Sequence, residues 1–200
     1  MIINFEAQTP ADSCQFEAFC KLANNYALNQ NNQQAKTFYM KAALISPKRI
    51  EPFLGLGSIA LRDNKIGKAI KSFTTASKIY PESDQAFCGL GQAFIFQEKY
   101  LQSYEMFIKS LEINWQNLDA LLGLFRVANK LKSFDKLIKY LEKYLEQNPG
   151  DISISFCLAS AYAKIKSYLK AKLLLLKILE RQPTHKNATV LLEALNQNIK

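Results

Sequence analysis

The sequence is poor in the residues that mark loops, metal sites and catalytic bases. Its 200 residues include 7 glycines, 6 prolines, 4 cysteines, 1 tryptophan and 1 histidine. Because glycine and proline are scarce, long polar tracts are absent and 48% of residues are hydrophobic, we expect one ordered domain with a continuous core. No segment shows a strand pattern, so an all-α fold is expected.

Long apolar runs are absent as well. The longest, Leu173 to Leu176 with its flanks, is interrupted by Lys172 and Lys177, whereas a membrane-spanning helix needs about 20 apolar residues. Residues 1–13 lack the basic region and the long apolar stretch of a secretion signal. We therefore expect a cytoplasmic protein with neither a signal peptide nor a transmembrane segment.

The few cysteines and the single histidine argue against metal and catalytic sites. The cysteines are Cys14, Cys20, Cys88 and Cys157. They lack the paired spacing of metal ligands, and in a reducing compartment such cysteines are usually small buried hydrophobic residues. His185 follows Pro183 and Thr184 at a predicted helix start, with no acidic residue or cysteine close in sequence to orient it. We interpret it as an exposed residue of a helix cap and expect no catalytic residue, metal or cofactor.

What the chain does contain is a regular period of 34 residues. Four prolines and one tryptophan mark it: Pro47, Pro81, Trp115, Pro149 and Pro183. Counted from Phe16, the period divides the chain into units 16–49, 50–83, 84–117, 118–151 and 152–183. Repeats of this length are typical of helical hairpins that stack on one another.

Several positions of this repeat keep one type of side chain. Position 7 is always leucine: Leu22, Leu56, Leu90, Leu124 and Leu158. Position 8 is mostly small: Ala23, Gly57, Gly91, Phe125 and Ala159. Position 4 is mostly large: Phe19, Phe53, Phe87, Leu121 and Ser155. Position 24 is aromatic or leucine: Tyr39, Phe73, Phe107, Leu141 and Leu175. The spacing of these positions within each half of a unit predicts two helices per unit.

This set of positions resembles the tetratricopeptide repeat, and the resemblance covers residues 16–183. It implies a right-handed α-solenoid of five helix-turn-helix hairpins, followed by a C-terminal capping helix in residues 184–200. Three large residues replace small ones in the fourth unit: Phe125, Leu137 and Tyr144. Ser155 replaces a large residue in the fifth. We expect a shifted helix crossing at Trp115 rather than a different fold.

The resemblance also implies that the first helix of each unit lines a concave groove. Three rows of groove residues follow. One is apolar: Cys20, Leu54, Cys88, Leu122 and Phe156. One can form hydrogen bonds: Asn24, Ser58, Gln92, Arg126 and Ser160. The third is mainly apolar: Ala27, Leu61, Ile95 and Asn129. We expect the rows to bind an extended segment or an amphipathic helix of a partner protein. The alternative is that neighbouring helices bury much of the first row.

The net charge of +9 lies mostly in the second half of the chain, where residues 101–200 carry +6. Six lysines repeat at matching positions of the last two units: Lys130, Lys132, Lys136, Lys164, Lys166 and Lys170. They predict a basic ridge where each hairpin turns, suited to an acidic protein or an anionic membrane surface. The preferred interpretation is a solvated surface, since lysine is abundant throughout. Nucleic acid is disfavoured because no aromatic residues interleave with these lysines.

Both ends of the repeat array carry additional apolar residues. Residues 1–9 form an apolar tip, and Thr9 and Pro10 then predict a helix start. The apolar residues of the tip are Ile2, Ile3 and Phe5. The tip either packs on the first repeat or promotes a homo-oligomer by entering the groove of another copy.

Leu173 and Leu176 in the last repeat occupy positions that normally face outward. We expect the final helix to cover them, the alternative being a contact patch for a partner.

Three functions are compatible with these patterns. The preferred one is a non-enzymatic scaffold or adaptor that holds a peptide or helix of a partner protein in the groove. The second is a self-assembling structural protein, similar to the small tetratricopeptide proteins that coat bacterial organelles. The third is an export or assembly chaperone for a hydrophobic client.

Overall fold

The computed structural model describes residues 10–197, which form eleven α-helices and no strand. Their bounds are α1 Pro10–Leu28, α2 Asn32–Ile45, α3 Glu51–Arg62, α4 Ile66–Ile79, α5 Asp84–Phe96, α6 Tyr100–Ile113, α7 Leu118–Leu131, α8 Asp135–Gln147, α9 Ile152–Lys164, α10 Tyr168–Arg181 and α11 Lys186–Gln197. The helices pack as five consecutive hairpins, α1 with α2 through α9 with α10, and α11 packs against α9 and α10. The predicted all-α array with an additional C-terminal helix is confirmed.

The chain divides into two compact units. The first ends at Ile113 and contains α1 to α6, and the second begins at Asn114 and contains α7 to α11. The division falls directly before Trp115, where tryptophan interrupts the proline period. It differs from the single domain that composition led us to expect. The shifted helix crossing at Trp115 stays a prediction.

In the first unit, rings on the second helices pack against glycines on the first helices. The rings of Tyr39, Phe73 and Phe107 are at most 6% exposed. A Cβ atom added at Gly57 or Gly89 would lie 2.7 Å or 2.4 Å from ring carbons of Phe73. Since side chains cannot approach that closely, close packing explains these glycines, as the sequence predicted.

In the second unit, leucines take the place of these rings. Leu141 and Leu175 are fully buried. At repeat position 8, where the second and third repeats have glycine, this unit has half-buried Phe125 in α7 and buried Ala159 in α9. The core of the second unit is therefore built mainly from aliphatic side chains.

Each hairpin turns through one residue in the left-handed region of backbone conformation. These residues recur with the same period: Gln30, Asn64, Glu98, Lys132 and Lys166, with φ between 55° and 62°. A left-handed residue at the end of a helix lets the chain reverse direction, and glycine adopts this conformation at the lowest cost. None of the five is glycine, so each turn stores some backbone strain.

The first helices of the later hairpins begin at periodic N-caps. The side-chain oxygens of Ser83, Asn117 and Asp151 accept backbone N–H groups at 3.1, 3.0 and 3.0 Å. The next place in this series is His185, whose Nδ1 accepts the N–H of Ala188 at 3.1 Å. The interpretation of His185 as a cap residue is confirmed, although it is half-buried rather than exposed. These bonds satisfy N–H groups that have no partner within the helix.

Two predictions concern the ends of the array. Helix α1 begins at Pro10, ahead of the first repeat, as expected. The residues of the apolar tip and Thr9 lie outside the described residues. The predicted cover of Leu173 and Leu176 is wrong, because they are 52% and 54% exposed. At about 100° per residue, Leu173 lies about 160° and Leu176 about 100° around α10 from buried Leu175, so both point away from the core that Leu175 enters.

Candidate functional site

In the first unit, α1 contacts α3 and α3 contacts α5, so the three first helices lie side by side. They carry nine of the predicted groove residues: Cys20, Asn24 and Ala27 on α1; Leu54, Ser58 and Leu61 on α3; and Cys88, Gln92 and Ile95 on α5. Each set follows the i, i+4, i+7 spacing that places its three residues on one side of the helix. The structure therefore brings these residues to one face of three neighbouring helices.

The apolar row of this face is largely buried. Cys20 is 8% exposed and Cys88 is 5% exposed. Leu54 is half-buried and packs against a cluster that includes Phe73. Burial, followed by the charges of Glu51 and Glu17, raises the pKa of Cys20 to about 11. Cys20 and Cys88 are small core residues, which confirms their interpretation as buried cysteines and corrects the expectation that they line the groove surface.

The polar row of this face keeps hydrogen-bonding capacity toward solvent. Asn24 and Ser58 are exposed. Asn24 Oδ1 accepts a hydrogen bond from the Tyr39 hydroxyl, which leaves its amide N–H groups available. The Ser58 hydroxyl donates to the carbonyl of Leu54 at 3.0 Å, which leaves its oxygen lone pairs available. Both side chains are thus oriented by the protein and can still bind a ligand backbone.

In the second unit, α7 has one exposed face and one fully buried face. Leu122 is 41% exposed, Arg126 is exposed and Asn129 is half-buried, with its amide donating to the carbonyl of Phe125 at 2.8 Å. The remaining groove residues, Phe156 and Ser160, are half-buried on α9. The Phe156 ring lies 5.2 Å from the ring of His185, so α11 partly covers it. Leu122 is therefore the most exposed apolar groove residue of this unit.

The six lysines of the basic ridge all lie in the second unit and all are exposed. They occupy equivalent places in its two hairpins: Lys130 and Lys164 in the last turns of α7 and α9, Lys132 and Lys166 in the connecting turns, and Lys136 and Lys170 in the first turns of α8 and α10. Lys170 Nζ lies 5.0 Å from the centre of the Tyr162 ring. The lysines are at the hairpin turns, and their role as a binding surface stays a prediction.

A charged cluster that the sequence did not reveal joins α1 to the start of α3. Arg49 binds Glu17 at 2.8 Å and also binds Glu51, and its guanidinium lies 4.0 Å from the centre of the Phe16 ring. Burial alone would raise the pKa of Glu51, but the hydrogen bond from Arg49 and backbone donors hold it below its usual value. Glu17 lies 32 residues from Arg49, and no local pattern connects them. We assign this cluster a structural role.

Each unit also contains a cleft outside the groove residues. In the first unit a cavity of about 310 Å³ lies between α2, α3 and α4, with Met40, Leu56 and Ile59 among its apolar lining. Its charged lining residues are Lys36, Asp63, Lys65, Lys68 and Lys71. Hydrogen bonds from Asn32 and Lys65 lower the pKa of Asp63. In the second unit a cavity of about 270 Å³ lies between α8, α9 and α10.

The part of the chain that the structure describes holds no cluster of His, Cys, Asp and Glu able to bind a metal ion. All four cysteines are free, and Cys14 differs from the other three in being exposed. Over residues 10–197, no helix has the length and apolar character that crossing a membrane requires.

A family model described as the tetratricopeptide repeat matches residues 16–49. The other four hairpins continue the same 34-residue register. Residues 16–49 thus match the tetratricopeptide repeat, and the described helices have the fold of tetratricopeptide repeat arrays. A comparison with curated protein sequences found no match.

Solved structures of other tetratricopeptide arrays are similar to this one. The pilF protein of Pseudomonas aeruginosa has a TM-score of 0.76 and 17% identity, over 94% of this chain and 86% of that one. MamA has a TM-score of 0.69 and 20% identity, over 86% of this chain and 94% of that one. YrrB, described as a TPR protein with an unusual peptide-binding site, has a TM-score of 0.68 and 19% identity, over 92% of this chain and 97% of that one. At these identities the similarity concerns the fold.

Proposed function

We propose that this tetratricopeptide repeat protein is a non-enzymatic, cytoplasmic scaffold or adaptor that binds a peptide or helix of a partner protein with its groove residues. The observation that carries the proposal is the exposed face of α7. Leu122, Arg126 and Asn129 follow one another at i, i+4 and i+7, and the first two are exposed. Leu121, Leu124 and Ala128 on the other side of the helix are fully buried.

This face combines three kinds of contact. Leu122 offers apolar area, Arg126 can donate to carboxylates or backbone carbonyls, and Asn129 retains an amide oxygen that can accept. The buried side of α7 holds the helix rigidly, so a ligand would not have to order it. An extended segment or an amphipathic helix fits such a face because both present apolar and polar groups at regular intervals.

The chemistry of the candidate catalytic groups supports a non-enzymatic role. His185 uses Nδ1 to cap α11. Burial is the main cause that raises the pKa of Cys157 to about 11, as it does for Cys20, so both thiols are protonated at neutral pH. A nucleophilic cysteine needs the opposite shift.

The test is the double substitution Leu122→Glu and Arg126→Ala, measured by calorimetry against a protein that copurifies with the wild type. We expect at least a tenfold loss of affinity, because truncating a hot-spot residue near the centre of an interface costs about 2 kcal/mol or more. Helical circular dichroism and melting should not change, because both side chains are exposed.

The matched control is Leu101→Glu with Lys99→Ala, which makes the same change of charge at exposed places around the start of α6. It should leave the affinity within about twofold, as expected for surface positions outside an interface. If the α7 variant binds as tightly as this control, the groove is not the binding surface.

A second candidate function is self-assembly, favoured by an exposed leucine stripe on α10. Leu169, Leu173 and Leu176 are 74%, 52% and 54% exposed and lie on one side of the helix. Contiguous exposed apolar residues commonly mark a contact surface. Light scattering over a range of concentrations should then show a rising mass that Leu173→Lys with Leu176→Lys abolishes. A mass that stays at one chain at every concentration would exclude this candidate.

A further inference from the structure

Two hairpins of the first unit share a contact between a lysine and a phenylalanine ring. Lys41 Nζ lies 5.6 Å from the centre of the Phe19 ring, and Lys109 Nζ lies 5.7 Å from the centre of the Phe87 ring. In both cases the phenylalanine is at repeat position 4 and the lysine at position 26. A cation above an aromatic face at this distance is attracted by the quadrupole of the ring.

The last hairpin keeps the lysine and lacks the ring. Lys177 occupies position 26, and Ser155 occupies position 4. The Ser155 hydroxyl donates to the carbonyl of Asp151 at 2.7 Å, so this short side chain is turned back onto its own helix. Where the ring lies in the first and third repeats, the fifth repeat has lost a large side chain.

The structure has a cavity at this place. Its volume is about 270 Å³, and it is lined by Leu145, Pro149, Ile152, Ser155, Leu174, Lys177, Ile178 and Arg181. Both Ser155 and Lys177 therefore face it. All lining residues belong to the second unit.

We propose that this cavity binds an aromatic side chain of a partner protein segment, with the ring in the place of the missing phenylalanine and beneath the Lys177 ammonium. The site is separate from the groove residues, so it does not depend on the function proposed above. The partner would supply the aromatic ring that Phe19 and Phe87 supply within their own hairpins.

The size and charge of the cavity fit this ligand. An apolar cavity of about 150 Å³ suffices for benzene, so about 270 Å³ accommodates a phenyl ring and its methylene group. The apolar lining includes Leu174 and Ile178, and the cationic lining residues are Lys177 and Arg181. Arg181 donates to the carbonyl of Pro149 at 2.8 Å, which connects the two sides of the opening. No acidic residue lines the cavity, so acidic residues flanking the aromatic side chain would be attracted.

The first experiment fills the cavity from within the chain. Ser155→Phe restores the pair seen in the other hairpins and should raise the melting temperature. Ser153→Phe is the matched control, because Ser153 is exposed on the same helix two residues away. A melting temperature of Ser155→Phe at or below that of Ser153→Phe would show that the cavity does not accept a ring and would overturn the proposal.

The second experiment uses N-acetylphenylalanine amide as the probe, titrated into the ¹⁵N-labelled full chain. We expect chemical-shift changes at Ser155 and at residues 174–181, with a dissociation constant on the order of millimolar, as is usual for a single side chain. N-acetylcyclohexylalanine amide should bind about threefold more weakly, because it has the same shape without the ring quadrupole. Lys177→Met should remove this difference, and Ser155→Phe should weaken binding of either probe at least tenfold.

Two results of the titration would contradict the proposal. One is equal affinity for the aromatic and cyclohexyl probes in the wild type, which would make the site a general apolar cleft. The other is a set of shifts confined to the face of Leu122 and Arg126, which would place the ring in the groove instead.

Discussion

The first compact unit and the fourth repeat, which opens the second unit, build the same hairpin with opposite distributions of side-chain volume. In the first unit the second helix carries the ring and the first helix carries glycine, as in Phe73 packed against Gly57. In the fourth repeat the same two positions hold Leu141 on the second helix and Phe125 on the first. A close-packed core requires a given total volume at such a contact, and either helix can supply it. The unusual residues of the fourth repeat thus fill the core in a second way, and the repeat itself is kept.

The largest expected effect tests how tightly the Phe73 ring packs against glycine in the first unit. Gly89→Ala should destabilise the protein by about 1–3 kcal/mol, the usual cost of overpacking a core. This cost exceeds the gain of about 1 kcal/mol that alanine brings to a helix interior. The reason is that the added Cβ atom would lie 2.4 Å from the Phe73 ring. Urea unfolding followed by circular dichroism gives the free energy of unfolding.

The matched rescue variant transfers the leucine of the second unit into the first. Phe73→Leu should be destabilising alone and should recover part of the loss in combination with Gly89→Ala, because the smaller side chain vacates the space that the new methyl group needs. A strictly additive double variant would mean that the two positions do not share volume, and the comparison between units would then fail.

An intermediate effect concerns the left-handed turn residues, which both units have in common. Gln30→Gly and Lys132→Gly should each raise the free energy of unfolding by up to about 1 kcal/mol, since glycine adopts positive φ without a Cβ clash. Lys130→Gly is the control, because it replaces a neighbouring lysine inside α7 and should cost about 1 kcal/mol. Thermal melts would contradict the prediction if Lys132→Gly were as destabilising as its neighbour.

The smallest expected effect on the free energy of unfolding at neutral pH concerns one buried tyrosine in each unit. Tyr162 donates to the Glu142 carboxylate, whereas Tyr39 donates to the neutral amide of Asn24. Burial and then the bond to Glu142 raise the pKa of Tyr162 to about 12. The ordinary value for tyrosine is about 10. The folded state holds this proton more tightly, so the stabilisation is complete below pH 10 and is lost as the pH rises toward 12.

Tyr162→Phe should therefore remove part of the decline in the free energy of unfolding above pH 10. Tyr39→Phe serves as the comparison, because burial is the main cause that raises the pKa of Tyr39 and its partner is uncharged. Urea titrations at pH 8, 10 and 11 measure both variants. If Tyr162→Phe declines as steeply as the wild type, Glu142 does not hold the tyrosine proton.

Features with local or periodic causes could be predicted from the sequence. The hairpins follow from the spacing of apolar residues, and the close packing of Gly57 and Gly89 follows from their places inside helices that carry a repeated core. The cap role of His185 could be predicted because capping depends on residues within one turn.

Features that depend on contacts between helices could not be predicted. For Cys20 and Cys88 the sequence supported both a groove row and a buried row, and only the structure shows that neighbouring helices bury them. Leu173 and Leu176 were expected beneath the final helix, but α11 packs against α10 and leaves both leucines exposed. A single helix pattern states which residues share a face, but it does not state how deeply the next helix covers that face.

Residue spacing determined that the chain is a series of helical hairpins, because a regular 34-residue period is typical of hairpins that stack to bury their apolar positions. The resemblance of the repeated positions to the tetratricopeptide repeat then implied the architecture. The tertiary structure decided which of the residues at the repeat positions are exposed. It buried the cysteines of the groove, left Leu122 and the leucine stripe exposed, and revealed that the exchange of phenylalanine for Ser155 is accompanied by a cavity under Lys177. Exposure and empty volume are properties of neighbouring helices taken together, and no single position in the chain encodes them.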